Sequence, residues 1–360
     1  MVSPQSTEEL SEILSNERGS VVPVGASTQS HFGNPLRSFD CAVDLKQLNR
    51  ITEYVPADLT IHVEAGVTLG ELRRTLAENR QFLPLDPWNG PTATMGGIAS
   101  ANSQGPYRAC GSMRDWIIGM KVVEVNGKVS KTGGRVVKNV TGYDLAKLYT
   151  GSIGTLAIIT EISLKVRARY ERTVTAIARF ETLEATETAL GLIRTSSLQP
   201  VSCEWVGPEH EVWLRFGEHP RAIDWQLKNL PPAQWNVTEG PDEDAAWERL
   251  RGRFSALGPV VAKVVGLPTT MAEIVAVCNP SGWIAHALNG IVFMSVTNAA
   301  DVDRIRTNHR VVVERAPLEV RKEVSTFGLS DAEYALMLRM KRAFDPEGRL
   351  NPGRHVDGER

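Results

Sequence analysis

The sequence predicts an α+β protein of two domains, and three observations carry that prediction. Between Val21 and Val166, short apolar strands alternate with glycine-rich loops and one clear helical period. Between Thr173 and Glu314, a strand–helix–strand–strand texture occurs twice. That is the layout of a duplicated ferredoxin-like, mostly antiparallel sheet with helices on one face. The chain has 360 residues, enough for two cores of ordinary size.

In chain order, Thr7 to Glu17 reads as an amphipathic helix with Leu10, Ile13 and Leu14 on one face. Val21–Val24 and Cys41–Leu45 read as strands, followed by strands over 51–55 and 60–65. Thr68 to Arg80 is a helix with Thr68 as N-cap and Glu71 at the capping-box position. Leu69, Leu72 and Leu76 form its inner face. Residues 84–113 lack periodicity and read as a loop, of a length that compact domains keep for binding. Trp116–Val125 and Val129–Thr132 form a hairpin around Asn126-Gly127. A long strand, Leu156 to Val166, closes this part.

The second part begins with strand 173–180, helix 183–195 and strands 201–206 and 211–216. A charged helix, 241–254, closes that half. The other half has strand 260–265, helix 269–277, hairpin strands 283–288 and 291–296, helix 300–306 and strand 310–314. A helix, 330–344, and a Pro/Gly-rich tail end the chain. The expected boundaries are 1–169 for the first domain and 170–330 for a cap domain. Residues 331–360 return to the first domain.

The bulk composition excludes several classes. Forty basic and 42 acidic residues give a net charge of −2, with no basic stripe for nucleic acid. No apolar run is long enough to span a bilayer. The polar, acidic Met1–Glu17 lacks a signal-peptide core, so a cytoplasmic location is expected. The four cysteines, Cys41, Cys110, Cys203 and Cys278, are dispersed and read as buried free thiols. Clustered thiolates for zinc or iron–sulfur are absent from the sequence.

Five motifs carry chemistry. The most informative runs from Gly133 through Leu145 and on to Gly151-Ser152-Ile153-Gly154, with five glycines among small residues. Glycines let backbone approach a ligand, and successive turn N–H groups make an anion-binding concavity. Taken alone, the run is equally a surface loop. Pro23-Val24-Gly25-Ala26-Ser27-Thr28 ends a strand with turn N–H groups suited to a pyrophosphate; a plain turn is the alternative. It is not a Rossmann fingerprint, because GxGxxG is missing. Pro84–Pro87 and Thr92–Asn102 supply small residues that let backbone lie flat on a ring system. Near them, Arg108 and Arg114 are candidate cations for a cofactor or carboxylate; Arg114 beside Asp115 also reads as a surface pair. His286 lies in Ala285–Gly290, where a packed histidine is the ordinary reading. The last motif is Phe344–Arg354, with Asn351-Pro352-Gly353.

In this order the motifs resemble the FAD-linked oxidase family with the vanillyl-alcohol-oxidase (PCMH-type) fold, over nearly the whole chain. Gly105–Arg108, Val136–Leu145 and Asn351–Arg354 look like the FAD-binding (E-type) subunits of glycolate oxidase. The resemblance implies a two-subdomain PCMH-type FAD domain plus the cap. It implies that Pro23, Gly25, Ala26, Ser27 and Thr28 form the pyrophosphate loop. Pro87, Thr94, Gly96 and Gly97 then line the pyrophosphate and isoalloxazine. Gly151, Ser152, Gly154 and Ile159 follow the ribityl and adenine parts, and Asn351 folds back toward the ring.

Two departures from the family pattern matter. Members with covalent flavin carry His where this chain has Thr28, or Cys near Thr92–Gly97; neither is present, and His31 is off position. Non-covalent FAD is expected. Hydroxy-acid oxidases of the family carry a His-x-Gly-Asp-Gly-Asn-x-His metal and substrate motif. Here the run is His286 to Phe293, with Phe293 in place of the second His. One imidazole is a poor metal site, so no metal is expected. The catalytic residues stay open, with Arg108, Arg114 and His286 as candidates.

The resemblance therefore implies an FAD subunit of a glycolate-oxidising complex. It would relay electrons from oxidation of a 2-hydroxy acid (glycolate or D-lactate). Its partners would be a second FAD-bearing catalytic D-type subunit and an iron–sulfur F-type subunit, with any membrane association made through them. A self-sufficient FAD oxidoreductase acting on a hydroxy acid or alcohol, and a flavin-free scaffold, are the alternatives.

Overall fold

The computed structural model describes residues 1–88, 90–134 and 144–356. Its contacts define two compact units. One comprises Met1–Gln104, Gly111–Arg169 and Leu329–Arg360; the other comprises Gly105–Cys110 and Tyr170–Gly328.

The first unit opens with α1 (Thr7–Asn16), capped by the Ser6 hydroxyl, which accepts from Glu9 N at 3.0 Å. Leu10 and Leu14, one turn apart, are buried. β1 (Val21–Val24) and β2 (Cys41–Asp44) pair in parallel. β3 (Ile51–Val55) and β4 (Thr60–Glu64) start the main sheet. Thr68 caps α2 (Leu69–Glu78) as expected, and Leu69, Leu72 and Leu76 are fully buried. Each such leucine contributes roughly 2 kcal/mol. Then come β5 (Gln81–Phe82), α3 (Met95–Ala101), α4 (Met113–Trp116), β6 (Ile117–Val123) and β7 (Val129–Gly133). α5 (Ala146–Tyr149), β8 (Ile158–Lys165) and β9 (Arg167–Ala168) complete the run. The main sheet has the order β3-β4-β8-β6-β7, antiparallel at every pair.

The expected loop over 84–113 holds the helix α3 and a short 3-10 stretch, Pro106–Cys110. α3 escapes a periodicity reading because Met-Gly-Gly-Ile-Ala-Ser-Ala offers two glycines and few large apolar residues. Its start is fixed by Thr94, whose hydroxyl accepts from Gly97 N at 3.3 Å. Met95 N and Gly96 N donate to Val67 O and Ala65 O, each at 2.8 Å, docking the helix on the chain after β4. Glycine is needed at 96: a Cβ there would lie 2.7 Å from Ala65 Cβ.

The second unit contains β10 (Arg172–Arg179), α6 (Leu183–Thr195), β11 (Ser202–Gly207), β12 (Glu211–Glu218), α7 (Pro220–Lys228), β13 (Asn236–Thr238) and α8 (Gly240–Ser255). β14 (Val261–Val265), α9 (Met271–Cys278), β15 (Trp283–His286), β16 (Ile291–Ser295), α10 (Ala299–Arg306), β17 (Arg310–Arg315) and α11 (Leu318–Glu323) follow. One antiparallel sheet runs β13-β10-β12-β11-β15-β16-β14-β17. Each half is a complete βαββαβ unit, and the halves join through their second strands, β11 and β15. Trp205 and Trp283 pack edge to face at 4.8 Å across that seam.

The two faces of this sheet differ. Val174, Leu214, Trp205, Ala285, Val292 and Ala262 face a core shared with α6, α7, α9 and α10. The alternate residues carry Thr175, Arg215, Ser202, Glu204, His286 and Phe293 on the opposite face. α8 packs there, with Trp247 Nε1 donating to Thr175 Oγ1 at 2.8 Å and Glu243 accepting from Thr173 and Thr175. The expectation of helices on one face therefore holds for the four crossover helices and fails for α8. Its Glu243 and Trp247 are the polar and aromatic partners the polar face needs.

The chain then returns to the first unit as α12 (Asp331–Phe344) and a tail that forms a parallel bridge from Leu350 to Val21. All four cysteines are free; Cys203 and Cys278 are buried, whereas Cys41 and Cys110 are only half-buried.

Candidate functional site

The turn after β1 leaves the strand at Gly25, where a Cβ would meet Thr94 Oγ1 at 2.4 Å. Ser27 adopts φ 58, and the N–H groups of Ala26, Ser27 and Thr28 find no acceptor among the described residues. Successive turn N–H groups in this state form an anion-binding concavity. The same Thr94 caps α3, so this loop and the α3 N-terminus are one contact.

The segment 151–154 lies against the other end of α3. Gly151 N donates to Ala99 O at 3.0 Å and Ile153 N to Ser100 O at 2.8 Å. Gly151, Ile153 and Gly154 all have positive φ, and a Cβ on Gly154 would stand 2.9 Å from Pro23 Cγ. Arg114 donates from Nη2 to Thr150 O at 3.1 Å, which gives this candidate cation a place beside the loop.

Asn351 completes the cluster. Its backbone N–H donates to Val21 O at 2.8 Å, and its Nδ2 donates to Ile153 O at 2.6 Å. Among the described residues its Oδ1 is buried without a partner, as are Ser152 Oγ, Ser103 Oγ and Asn102 Oδ1. The structure thus brings Pro23, Gly25, Thr94, Gly96, Gly97, Gly151, Ser152, Gly154 and Asn351 together from four distant stretches. Ala26, Ser27 and Thr28 continue the first of these. Pro87 and Ile159 are buried outside these contacts, Pro87 in a turn accepting from Gly90 N and Ile159 in β8 opposite Val122. Residues 135–143 of the glycine-rich run lie outside the described residues.

Sequence reasoning missed three supports of this cluster. Asn102, at φ 49, ends α3 in the left-handed conformation that Asn tolerates. Arg73 on α2 donates to Leu85 O and to the buried Asp86, bracing the chain before Pro87. Lys341 and Asp345 form a buried ion pair beneath the tail. Its i,i+4 spacing was visible in the sequence, though nothing there signalled its burial.

The cap candidates behave differently. His286 is 1% exposed, and its Nδ1 lies 2.7 Å from Glu204 Oε2 on the adjacent strand. Ser202 Oγ donates to the other Glu204 oxygen at 3.0 Å, and Phe293 packs edge to face on the imidazole at 5.3 Å. Arg108 sits in the segment Gly105–Cys110, which belongs to the second unit, half-buried. Among the described residues no group of three or more His, Cys, Asp or Glu is arranged to hold a metal ion. No helix among them is long and apolar enough to cross a membrane.

The cradle of the first unit fits a long, flat, phosphate-bearing dinucleotide. Glycines let its loops pack closely on one another, and among the described residues the turn N–H groups face no acceptor and the buried oxygens no donor. Residues 1–133 match the family described as FAD binding domain, which gives FAD as the cofactor, and residues 321–355 match FAD linked oxidases, C-terminal domain. The chain is 33% identical over 211 residues to glycolate oxidase subunit GlcD of Bacillus subtilis (strain 168), covering 57% of this chain and 45% of that protein. It is 33% identical over 247 residues to glycolate oxidase subunit GlcE of Escherichia coli (strain K12), covering 68% and 59%. It is 37% identical over 188 residues to the mitochondrial D-lactate dehydrogenase [cytochrome] of Arabidopsis thaliana, covering 51% and 33%. The matches thus span about half or less of most of these relatives. A solved alkyldihydroxyacetonephosphate synthase shares the PCMH-type fold, with TM-score 0.72 and 16% identity over 98% of this chain and 75% of that one. Cradle, matched families and fold together establish that the chain belongs to the FAD-linked oxidase family.

Proposed function

We propose that the chain is the FAD-binding subunit of a glycolate oxidase-type complex, passing electrons from the oxidation of a small 2-hydroxy acid to an iron–sulfur partner. The contrast between the two units carries this reading. The flavin cradle keeps its close-packed glycines, N–H groups and buried acceptors, while the cap histidine is sealed by Glu204 and Phe293. Bound non-covalently, FAD supplies an acceptor for two electrons that can leave one at a time. The chain's own part is to hold it. Ala26, Ser27 and Thr28 offer N–H groups to the pyrophosphate, and the small residues 96–97 let backbone lie against the ring. Gly151 and Gly154 let the 151–154 turn close onto α3 and Pro23, where it would follow the ribityl and adenine parts. The unpaired donors and acceptors of the cradle argue against a flavin-free scaffold, because buried polar groups without partners are costly.

A second reading has one specific observation in its favour. Glu204 orients the His286 imidazole at 2.7 Å, the arrangement a general base needs, so a self-sufficient hydroxy-acid oxidoreductase is the alternative. One experiment separates the two. The purified chain, loaded with FAD and kept anaerobic, is mixed with glycolate or D-lactate, and bleaching of the flavin absorbance is followed. The subunit reading expects no bleaching until the D-type partner is added. Rapid bleaching by the isolated chain overturns it. A purified chain that stays colourless after incubation with FAD overturns both.

A further inference from the structure

The tail from Asp345 onward does more than fill space. Lys341 is 3% exposed, yet its ammonium is fully engaged: Nζ donates to Thr155 O at 2.8 Å, Leu350 O at 2.9 Å and Asp345 Oδ2 at 2.5 Å. Asp345 in turn accepts from Arg349 N at 3.0 Å and Leu350 N at 2.7 Å. Thr155 directly follows the glycine segment 151–154, and Leu350 directly precedes Asn351. One buried cation therefore ties the glycine segment to the tail at the point where the Asn351 side chain reaches Ile153 O.

That last contact fixes the orientation of the Asn351 amide. Ile153 O can only accept, so the nitrogen must face it and the oxygen must face away. Asn351 is 7% exposed, and its Oδ1 has no partner among the described residues. A phosphate has no proton to give it at neutral pH. A ribityl or ribose hydroxyl, the isoalloxazine N–H and the adenine amine each have one.

We propose that the Lys341–Asp345 pair is a positioning element that presents the Asn351 side-chain oxygen as an acceptor for a neutral O–H or N–H donor of the dinucleotide. Asn351 thereby reads the sugar or ring portion of the ligand and is indifferent to its phosphates. The proposal deepens the FAD reading above and rests on it.

The test uses the full chain, stripped of flavin, with three probes: FAD, ADP and inorganic pyrophosphate. Dissociation constants come from flavin fluorescence and from competition against it. Asn351→Gly is the main variant, because Gly tolerates the φ of 48 at this position. The expected result is an FAD affinity weakened roughly tenfold, the usual value of one buried hydrogen bond, with pyrophosphate affinity unchanged. Loss for FAD alone places the donor on the ribityl–isoalloxazine half, and equal loss for FAD and ADP places it on the adenosine half. Lys341→Met, or the milder Asp345→Asn, is expected to reproduce that selectivity and to shift the visible band of bound flavin. Unchanged FAD affinity in Asn351→Gly overturns the proposal while leaving the FAD reading intact. Equal weakening of all three probes in the Lys341 and Asp345 variants overturns the positioning role, since general loosening of the fold does not discriminate among them. Failure of the unaltered chain to bind FAD overturns the reading beneath as well.

Discussion

Gly25→Ala tests whether the first loop and the α3 N-terminus are one contact. Gly25 has an ordinary φ, so alanine costs nothing in backbone conformation. The cost comes from Thr94 Oγ1, 2.4 Å from where the new methyl would sit. The hydroxyl must rotate away, and with it goes the cap on Gly97 N. Losing an N-cap of this kind costs about 1 kcal/mol. For a unit of this size that is a fall in melting temperature of about 2–4 °C. Thr94→Ala alone loses the same cap and should cost a similar amount. In the double variant the clashing oxygen is gone, and the remaining Thr94 neighbour of the methyl, its Cβ, lies at an ordinary 3.5 Å. The double variant should therefore be no less stable than Thr94→Ala, giving a coupling of about 1 kcal/mol in a double-mutant cycle. Thermal unfolding of the flavin-free protein measures the cycle, and an FAD titration shows whether affinity follows. Additive losses would refute the reasoning, because they mean that the two residues act through separate contacts.

Three further outcomes follow from the same structure. Gly96→Ala presses a methyl onto Ala65, 2.7 Å from its Cβ and 3.0 Å from its carbonyl oxygen, so it should destabilise by about 1–3 kcal/mol and weaken FAD binding, read by denaturant unfolding with and without FAD. Arg349→Ala removes donors from Glu17 O, Gly19 O and Val125 O, and should cost roughly 2–4 kcal/mol in urea unfolding at neutral pH. His355 is held down to about 4 by burial and, secondarily, by Lys341; its unfolded value is higher, so the unfolded state takes up the proton first and stability falls as pH drops from about 6.5 toward 4. His355→Gln should flatten that window in a melting-temperature series, and an unchanged slope would count against a buried neutral imidazole.

The parts of this protein readable from sequence are those where periodicity and caps agree. Thr68 with Glu71, followed by Leu69, Leu72 and Leu76, located α2, and the helix expected over 330–344 is α12, which the structure shows capped by Ser330 with Glu333. α3 was hidden because the glycines that let it dock on Ala65 also erase its helical pattern. α7 was hidden for another reason. Its nine residues bury only Ile223 and Gln226, and the Pro220 that opens it reads equally as a turn. The repeat itself could have supplied it, since the second half carries α10 at the equivalent place. In the candidate site, glycines marked where loops approach one another closely, because tolerance of close approach is a property of single residues. Its supports, Arg73–Asp86 and Lys341–Asp345, were not legible. Arg and Asp, or Lys and Asp, are ordinary exposed residues until the fold buries them together.

The tail bridge from Leu350 to Val21 has a consequence for the order in which the protein is made. The ribosome delivers β1, the loop after it and the 151–154 segment first, then residues 170–328 of the second unit, and Asn351 with its lysine anchor only afterwards. Domains tend to fold as they emerge. The second unit is contiguous apart from residues 105–110 and can collapse during synthesis, whereas the flavin unit waits on partners more than 300 positions apart, such as Arg349 and Glu17. The candidate flavin site is therefore completed only when the last stretch of the chain arrives. A nascent chain stalled before residue 341 should hold a folded cap and retain no flavin.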